Sequence, residues 1–296
     1  AGYEVDAEVM DDDSLTYGDD AYSVSNYDRN SLYDTLPMYQ AIAESKNTSA
    51  VWLLDKLGIQ RGISKLEDFG ISIGEADENL GAIALGGMSK GVTPVQLASA
   101  YTTFVNEGVR TQARFITKIV DATGAVIVDN TKPKTNRVTT AAVAEEMTSM
   151  LMGVYADGGT GASAQPSNGM VIAGKTGTTE LDRETGYIKS QWMVGYTPDL
   201  VVATWLGYDK TNEIYNLNNA GKTMANLYSA EMGALLSISP QTEFAVAAAE
   251  ETYDSGIING LKNGLDEFMN DMGSFGQSLG EGSKKLFDWA NEAFGQ

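Results

Sequence analysis

The sequence predicts an α+β fold, on three observations. Apolar residues recur at helical spacing through much of the first half, three β-rich stretches follow one another between Met170 and Tyr208, and a further helical pattern comes after them. Strands that close together favour an antiparallel sheet, because a parallel crossover needs a dozen or more intervening residues. The expectation is therefore an antiparallel sheet flanked by helices, without a βαβ repeat or any other internal repeat.

Taken in order, residues 1–33 are dense in carboxylates (Glu4, Asp6, Glu8, Asp11, Asp12, Asp13, Asp19, Asp20, Asp28) and show little 3.6-residue periodicity, which predicts an acidic, extended, solvated segment with at most one short strand. Thr35-Leu36-Pro37 can open a helix, since proline fits the first turn and Met38, Ala41 and Ile42 follow at helical spacing. The next helix has Thr48 or Ser49 as a cap, a stripe of Val51, Leu54 and Leu57, and Gly58 as its stop. Ser45-Lys46-Asn47 lies in the turn between these two. A third helix is expected over 61–69, and a fourth from Thr93 to Glu107 with Pro94 in its first turn.

Phe115, Thr117 and Ile119 then alternate, Ala122-Thr123-Gly124 turns, and Ala125 to Val128 returns, which predicts a β-hairpin. Thr139 or Thr140 starts a helix reaching about Tyr155, ended by the glycine-rich Asp157-Gly158-Gly159-Thr160-Gly161. Strands are expected over Met170–Ala173, Gln191–Tyr196 and Leu200–Tyr208, with Thr197-Pro198-Asp199 as a tight connection, and a helix over Thr223–Leu236. Residues 34–240 form the main domain in this reading. From 241 to 296 the pattern is amphipathic but broken by Gly260, Gly264, Gly273, Gly276 and Gly280, an appendage with an acidic polar face.

Composition narrows the chemistry. The 296 residues contain no His and no Cys, which excludes Ser-His-Asp and Cys-His catalysis, imidazole or thiolate metal sites and disulfides. No cofactor and no metal is implied. A net charge of −20 would repel a phosphate backbone, so nucleic acid is not expected as a partner. No apolar run reaches the roughly 18–20 residues that span a bilayer.

Two short motifs remain. Lys175-Thr176-Gly177-Thr178 continues a predicted strand, so that Lys175 and Gly177 fall on one face and Thr176 and Thr178 on the other. A cation, two hydroxyls and an open amide on an edge strand suit an extended peptide ending in a carboxylate. A K-T-G triplet is expected by chance only about 0.1 times in a chain of this composition. In Ser45-x-Asn47, a hydroxyl beside a lysine can relay a proton and an amide can orient a substrate carbonyl, chemistry that needs no His. The alternative for that triplet is a plain two-helix turn with Asn47 or Thr48 as a cap.

In this order, with 130 residues between them, the two motifs resemble the second and third of the set S-x-x-K, S-x-N, K-T-G found in penicillin-binding protein transpeptidases and serine β-lactamases. The flanks are similar to class A (bifunctional) penicillin-binding proteins over residues 25–240: Gln40 to Val51, Ala84 to Tyr101, Ala173 to Thr179 and Trp192 to Pro198. The resemblance implies a penicillin-binding/serine β-lactamase-like fold. It also implies a D,D-transpeptidase, cross-linking peptidoglycan by acyl transfer from D-Ala-D-Ala stem peptides and acylated by β-lactam antibiotics, on the extracellular face of the bacterial cytoplasmic membrane.

Residue by residue, it implies Ser45 as a proton relay to the leaving nitrogen, Asn47 as a ligand of the substrate amide, and Lys175 as a source of positive potential. Thr176 and Thr178 would bind the substrate carboxylate along Gly177, and the Thr178 N–H would supply half of the oxyanion hole. No Ser stands three residues before any Lys, so the nucleophilic Ser and its Lys are expected in an upstream segment of the same protein, together with any membrane anchor. The chain alone is then expected to be inactive. Alternatives are a serine β-lactamase, which would need an acid for deacylation where Glu75 stands four residues before Asn79 in a segment that lacks apolar anchoring and reads as a polar loop, a D,D-carboxypeptidase, or a non-catalytic peptidoglycan-binding scaffold.

Overall fold

A computed structural model describes residues 2–18, 21–28, 32–182, 186–217 and 220–251. The chain divides into two compact units, residues 1–249 and 250–296. The helical pattern expected from Ile257 onward lies outside the described residues. Among the described residues, no helix is long and apolar enough to cross a membrane.

The acidic segment keeps Glu4, Asp6 and Glu8 exposed as expected but buries Val5, Val9, Asp11 and Tyr17 in the first unit, which corrects the expectation that it is solvated throughout. It contributes β1 (Glu8–Asp11) and the short pair β2 (Thr16–Tyr17) and β3 (Tyr22–Ser23). Strand β1 pairs antiparallel with β4 (Asp34–Pro37), Val9 opposite Leu36 and Asp11 opposite Asp34. Alternation explains the burial: Val9 and Asp11 share the inward face, and Val9 packs with Leu36 and Ala41. Thr35 to Pro37, read as a helix start, are the end of a strand. Pro37, at φ −59°, hands over to α1 (Met38–Ala43).

Helix α2 (Asn47–Leu57) ends at Gly58, whose φ of +85° suits glycine alone, and α3 (Ile59–Asp68) follows at once. Neither Thr48 nor Ser49 caps α2, because both are buried inside its first turn. The Asn26 side chain takes that role from the preceding segment, its Oδ1 accepting from the Thr48 N–H at 3.3 Å. Helix α4 (Leu80–Leu85), which the polar run Glu75–Asn79 concealed, is capped by Asn79 Oδ1 accepting from the Ala82 N–H at 2.9 Å. Helix α5 (Pro94–Val105) opens with the capping box of Thr93 and Gln96.

The hairpin expected around residues 122–124 is present as β6 (Lys118–Val120) against β7 (Val126–Asp129). It is flanked by β5 (Val109–Thr111) paired with β8 (Thr135–Arg137), which were not anticipated. Helix α6 (Ala141–Met152) is capped by Thr140.

The central sheet has three strands, β9 (Ala173–Asp182), β10 (Tyr187–Tyr196) and β11 (Val201–Gly207), antiparallel in the order β11-β10-β9. The first begins later than expected, at Ala173, and itself carries the K-T-G motif along what is, among the described residues, the sheet edge. Helix α7 (Ala220–Leu236) packs back on the sheet. The main core lies between them and the end of α6, with Tyr155, Tyr196, Tyr228, Met232 and Leu236 all buried. Deeply buried tyrosines need partners for their hydroxyls. Tyr155 donates to the Val194 carbonyl at 3.0 Å, and the Tyr196 and Thr148 hydroxyls lie 2.9 Å apart.

Candidate active site

The two sequence motifs meet. Lys175 Nζ donates to Ser45 Oγ at 2.8 Å across 130 residues of chain, and also to the Thr176 carbonyl at 3.2 Å. Both residues line a cleft of about 1330 Å³, together with Asn47, Thr176, Gly177 and Thr178. Desolvation in the cleft wall lowers the Lys175 ammonium from 10.5 to about 8. Near neutral pH this lysine is therefore still cationic, yet close enough to its midpoint to exchange a proton with the hydroxyl it touches.

The turn that presents Ser45 has a defined geometry. The Ser45 N–H donates to the Ile42 carbonyl at 3.2 Å and the Lys46 N–H to the Ala41 carbonyl at 2.9 Å, the two bonds of a Schellman ending to α1. Ser45 occupies the left-handed position of that motif, at φ +58°, where glycine is the usual residue. Holding a serine there costs about 1 kcal/mol or more, which the surrounding contacts must offset. In return, the exposed hydroxyl of Ser45 stands at the cleft rim against Lys175.

Those contacts come from residues that sequence reasoning passed over. Asp11 is fully buried, and its Oδ1 accepts from Asn26 Nδ2 and from Thr48 Oγ1, both at 2.5 Å. Its Oδ2 accepts from the Tyr33 N–H at 3.3 Å and lies 3.6 Å from the ammonium of Lys46, itself only 5% exposed. Lys46 also pairs with Glu44 at 3.1 Å and sits 4.6 Å above the Tyr33 ring. Buried charges persist only when paired and hydrogen-bonded, and this set meets that condition on both flanks of Ser45. The signal available in the sequence was the alternation of Val9 and Asp11 on one face of a strand, hidden within an acidic run.

Asn47 lies in the first turn of α2 and lines the cleft, while its Nδ2 donates to the Ser25 carbonyl at 3.2 Å. Part of its amide is thus engaged by the protein, leaving its oxygen and second N–H for other partners. On β9, Lys175, Thr176, Gly177 and Thr178 all line the cleft, and the strand keeps a regular register against β10 from Ala173 to Thr179. The tightest demand for glycine falls on Gly174. A Cβ there would lie 2.0 Å from the Val194 carbonyl oxygen, whereas at Gly177 it would meet Trp192 Cβ at 3.3 Å. Glu75 and Asn79 do not line the cleft; Glu75 is exposed and Asn79 is used as the cap of α4.

Comparison with known proteins places this arrangement in context. A family model described as "Penicillin binding protein transpeptidase domain" matches residues 2–230. Penicillin-binding protein 2a of Streptococcus pneumoniae serotype 2 is 38% identical over 243 residues, 81% of this chain and 32% of the relative. The chain thus spans about a third of the length of that curated relative. Among solved structures, penicillin-binding protein PonA1 from Mycobacterium tuberculosis shares the fold at a TM-score of 0.67 and 24% identity, over 82% of this chain and 66% of that one. A structure of PonA1 in complex with penicillin V superposes with a TM-score of 0.66 at 24% identity, over 83% of this chain and 68% of that one.

Proposed function

The chain belongs to the penicillin-binding protein transpeptidase family, and on that premise we propose that it supplies the proton-relay and carboxylate-binding side of a peptidoglycan D,D-transpeptidase site. The observation that carries this reading is the 2.8 Å contact between Lys175 Nζ and Ser45 Oγ. The nucleophilic Ser and its Lys come from an upstream segment of the same protein, on the outer side of the bacterial cytoplasmic membrane.

In the acylation step, the nucleophile's oxygen forms an ester bond to the penultimate D-Ala carbonyl while the amide C–N bond to the terminal D-Ala breaks. The departing amine needs a proton. It is the proton the nucleophilic hydroxyl gave up to its own upstream Lys, and Ser45 passes it on to the nitrogen, its hydroxyl kept polarised by Lys175. The terminal carboxylate of the donor rests against Thr176, Thr178 and the Lys175 charge, while the Thr178 N–H contributes to the oxyanion hole. Asn47 orients the stem peptide amide. The amine of a second stem then attacks the ester, forming the cross-link and releasing the serine. β-Lactams enter the same route, because their ring amide stands in for the scissile bond and their carboxylate for that of D-Ala.

The test is labelling of the intact protein by a fluorescent penicillin. Replacing Ser45 by Ala removes only the relay hydroxyl, and the labelling rate is expected to fall by about a hundredfold or more, within the range of a lost acid–base group. An unchanged rate in the folded S45A protein would refute the relay role.

A further inference from the structure

We infer that Thr160, in the glycine-rich loop after α6, is a positioning residue that sets the Thr176 hydroxyl as a donor toward the substrate carboxylate; this rests on the carboxylate-binding role proposed for Thr176 above. Thr160 touches both motif-bearing segments. Its N–H donates to the Ala43 carbonyl at 3.1 Å, two residues before Ser45, and its Oγ1 lies 2.7 Å from Thr176 Oγ1, the residue next to Lys175. One exposed residue at the cleft wall thereby links the end of α1, through its backbone N–H, to strand β9, through its hydroxyl, at the point where Ser45 and Lys175 meet.

The loop is built to hold it there. The Gly159 N–H donates to the Ala156 carbonyl at 3.0 Å and the Gly161 N–H to the Val154 carbonyl at 2.8 Å. Both glycines are required by close approach: a Cβ on Gly159 would lie 2.2 Å from the Gly153 carbonyl oxygen, and one on Gly161 2.9 Å from the Tyr155 ring. Thr160 is therefore fastened on both sides to the turn that follows α6, and its side chain lines the cleft.

The chemistry follows from proton counting. Two hydroxyls in contact share one proton, and each hydroxyl has only one to donate. If Thr176 donated to Thr160, it would have no proton left for an anion. With Thr160 as the donor, the Thr176 O–H is free to point at a carboxylate, which can only accept. An acceptor-only ligand selects the second arrangement, so Thr160 acts on the substrate through Thr176 without touching it.

The experiment uses the intact protein and two acylating probes, a penicillin with its free carboxylate and the same penicillin with that group converted to a carboxamide. The readout is the ratio of their second-order acylation rates. Thr160→Val keeps the branched shape but removes the donor that fixes the Thr176 rotor and polarises its O–H, and is expected to lower this ratio about fivefold, the scale of one neutral hydrogen bond, with the carboxamide rate nearly unchanged. Thr160→Ser keeps the hydroxyl and is expected to restore the ratio. A parental ratio retained in Thr160→Val overturns the inference, as does an equal fall in both rates, which would mark a merely structural loop. A parental protein that does not distinguish the two probes refutes the carboxylate role of Thr176 itself, and no acylation by either probe refutes the transpeptidase reading.

Discussion

Replacing Asp11 by Ala is the most informative perturbation of the scaffold behind the site. The side chain is completely buried and accepts two hydrogen bonds at 2.5 Å, from Asn26 and Thr48, besides facing the Lys46 ammonium at 3.6 Å. Hydrogen bonds to a charged group each contribute about 1.5–3 kcal/mol, but the deleted carboxylate also sheds its own desolvation cost. What remains is the penalty of a buried ammonium left with Glu44 and of a buried Asn26 amide deprived of its acceptor, while the Thr48 hydroxyl keeps Asn26 Oδ1 at 3.1 Å, about 3 kcal/mol in all. For a domain of this size each kcal/mol moves the midpoint by about 2–4 °C, so Asp11→Ala is expected to lower Tm by about 10 °C in a thermal melt followed by circular dichroism. Asp12→Ala is the control, since the Asp12 carboxylate accepts within its own turn, from the Ser14 N–H at 2.8 Å and from the Ser14 hydroxyl, and its midpoint should barely move. If Asp11→Ala also left Tm within about 2 °C, a loss below about 1 kcal/mol, the network would not be what holds the Ser45 turn in place.

Two further outcomes are expected. Ser45→Gly relieves the left-handed strain at φ +58° and should raise stability by about 1 kcal/mol in urea unfolding while abolishing the relay, so stability and penicillin labelling move in opposite directions; a destabilised glycine variant would contradict the strain argument. Lys175 carries its charge below its midpoint of about 8 and loses it above, so preference for a carboxylate-bearing probe over its carboxamide should hold at pH 7 and decline through pH 8–9. A pH-rate series for both probes reads this directly, and a preference unchanged at pH 10 would show that Lys175 is not the charge involved.

Much of the architecture was legible because it rests on local signals. The Thr93 and Gln96 box, the Gly58 stop, the hairpin around Gly124 and the Thr197–Asp199 turn each depend on residues close in sequence, and each occurs where expected. The failures share a different cause. Asp11 and Asn26 read as solvated because an acidic composition says nothing about which carboxylate a fold will bury against a lysine 35 positions away. Thr48 reads as a cap by propensity, yet tertiary contact turns its hydroxyl toward Asp11 and gives its N–H to Asn26. Lys46 was only the variable residue of S-x-N, and Thr160 only part of a glycine-rich stop. At the cleft, motif order brought Ser45 and Lys175 into consideration together, but the φ of Ser45, the link through Thr160 and the engagement of Asn47 by Ser25 are properties of the folded chain.

The most direct test of the central claim is to locate the adduct. The intact protein and the present chain are each treated with a penicillin, digested, and mapped by mass spectrometry. One penicilloyl serine is expected in the intact protein, on a residue preceding Ala1, and no adduct within residues 1–296 in either sample. A penicilloyl group on Ser45, or on any other residue of this chain, would contradict the assignment of Ser45 as a relay and of the nucleophile to an upstream segment.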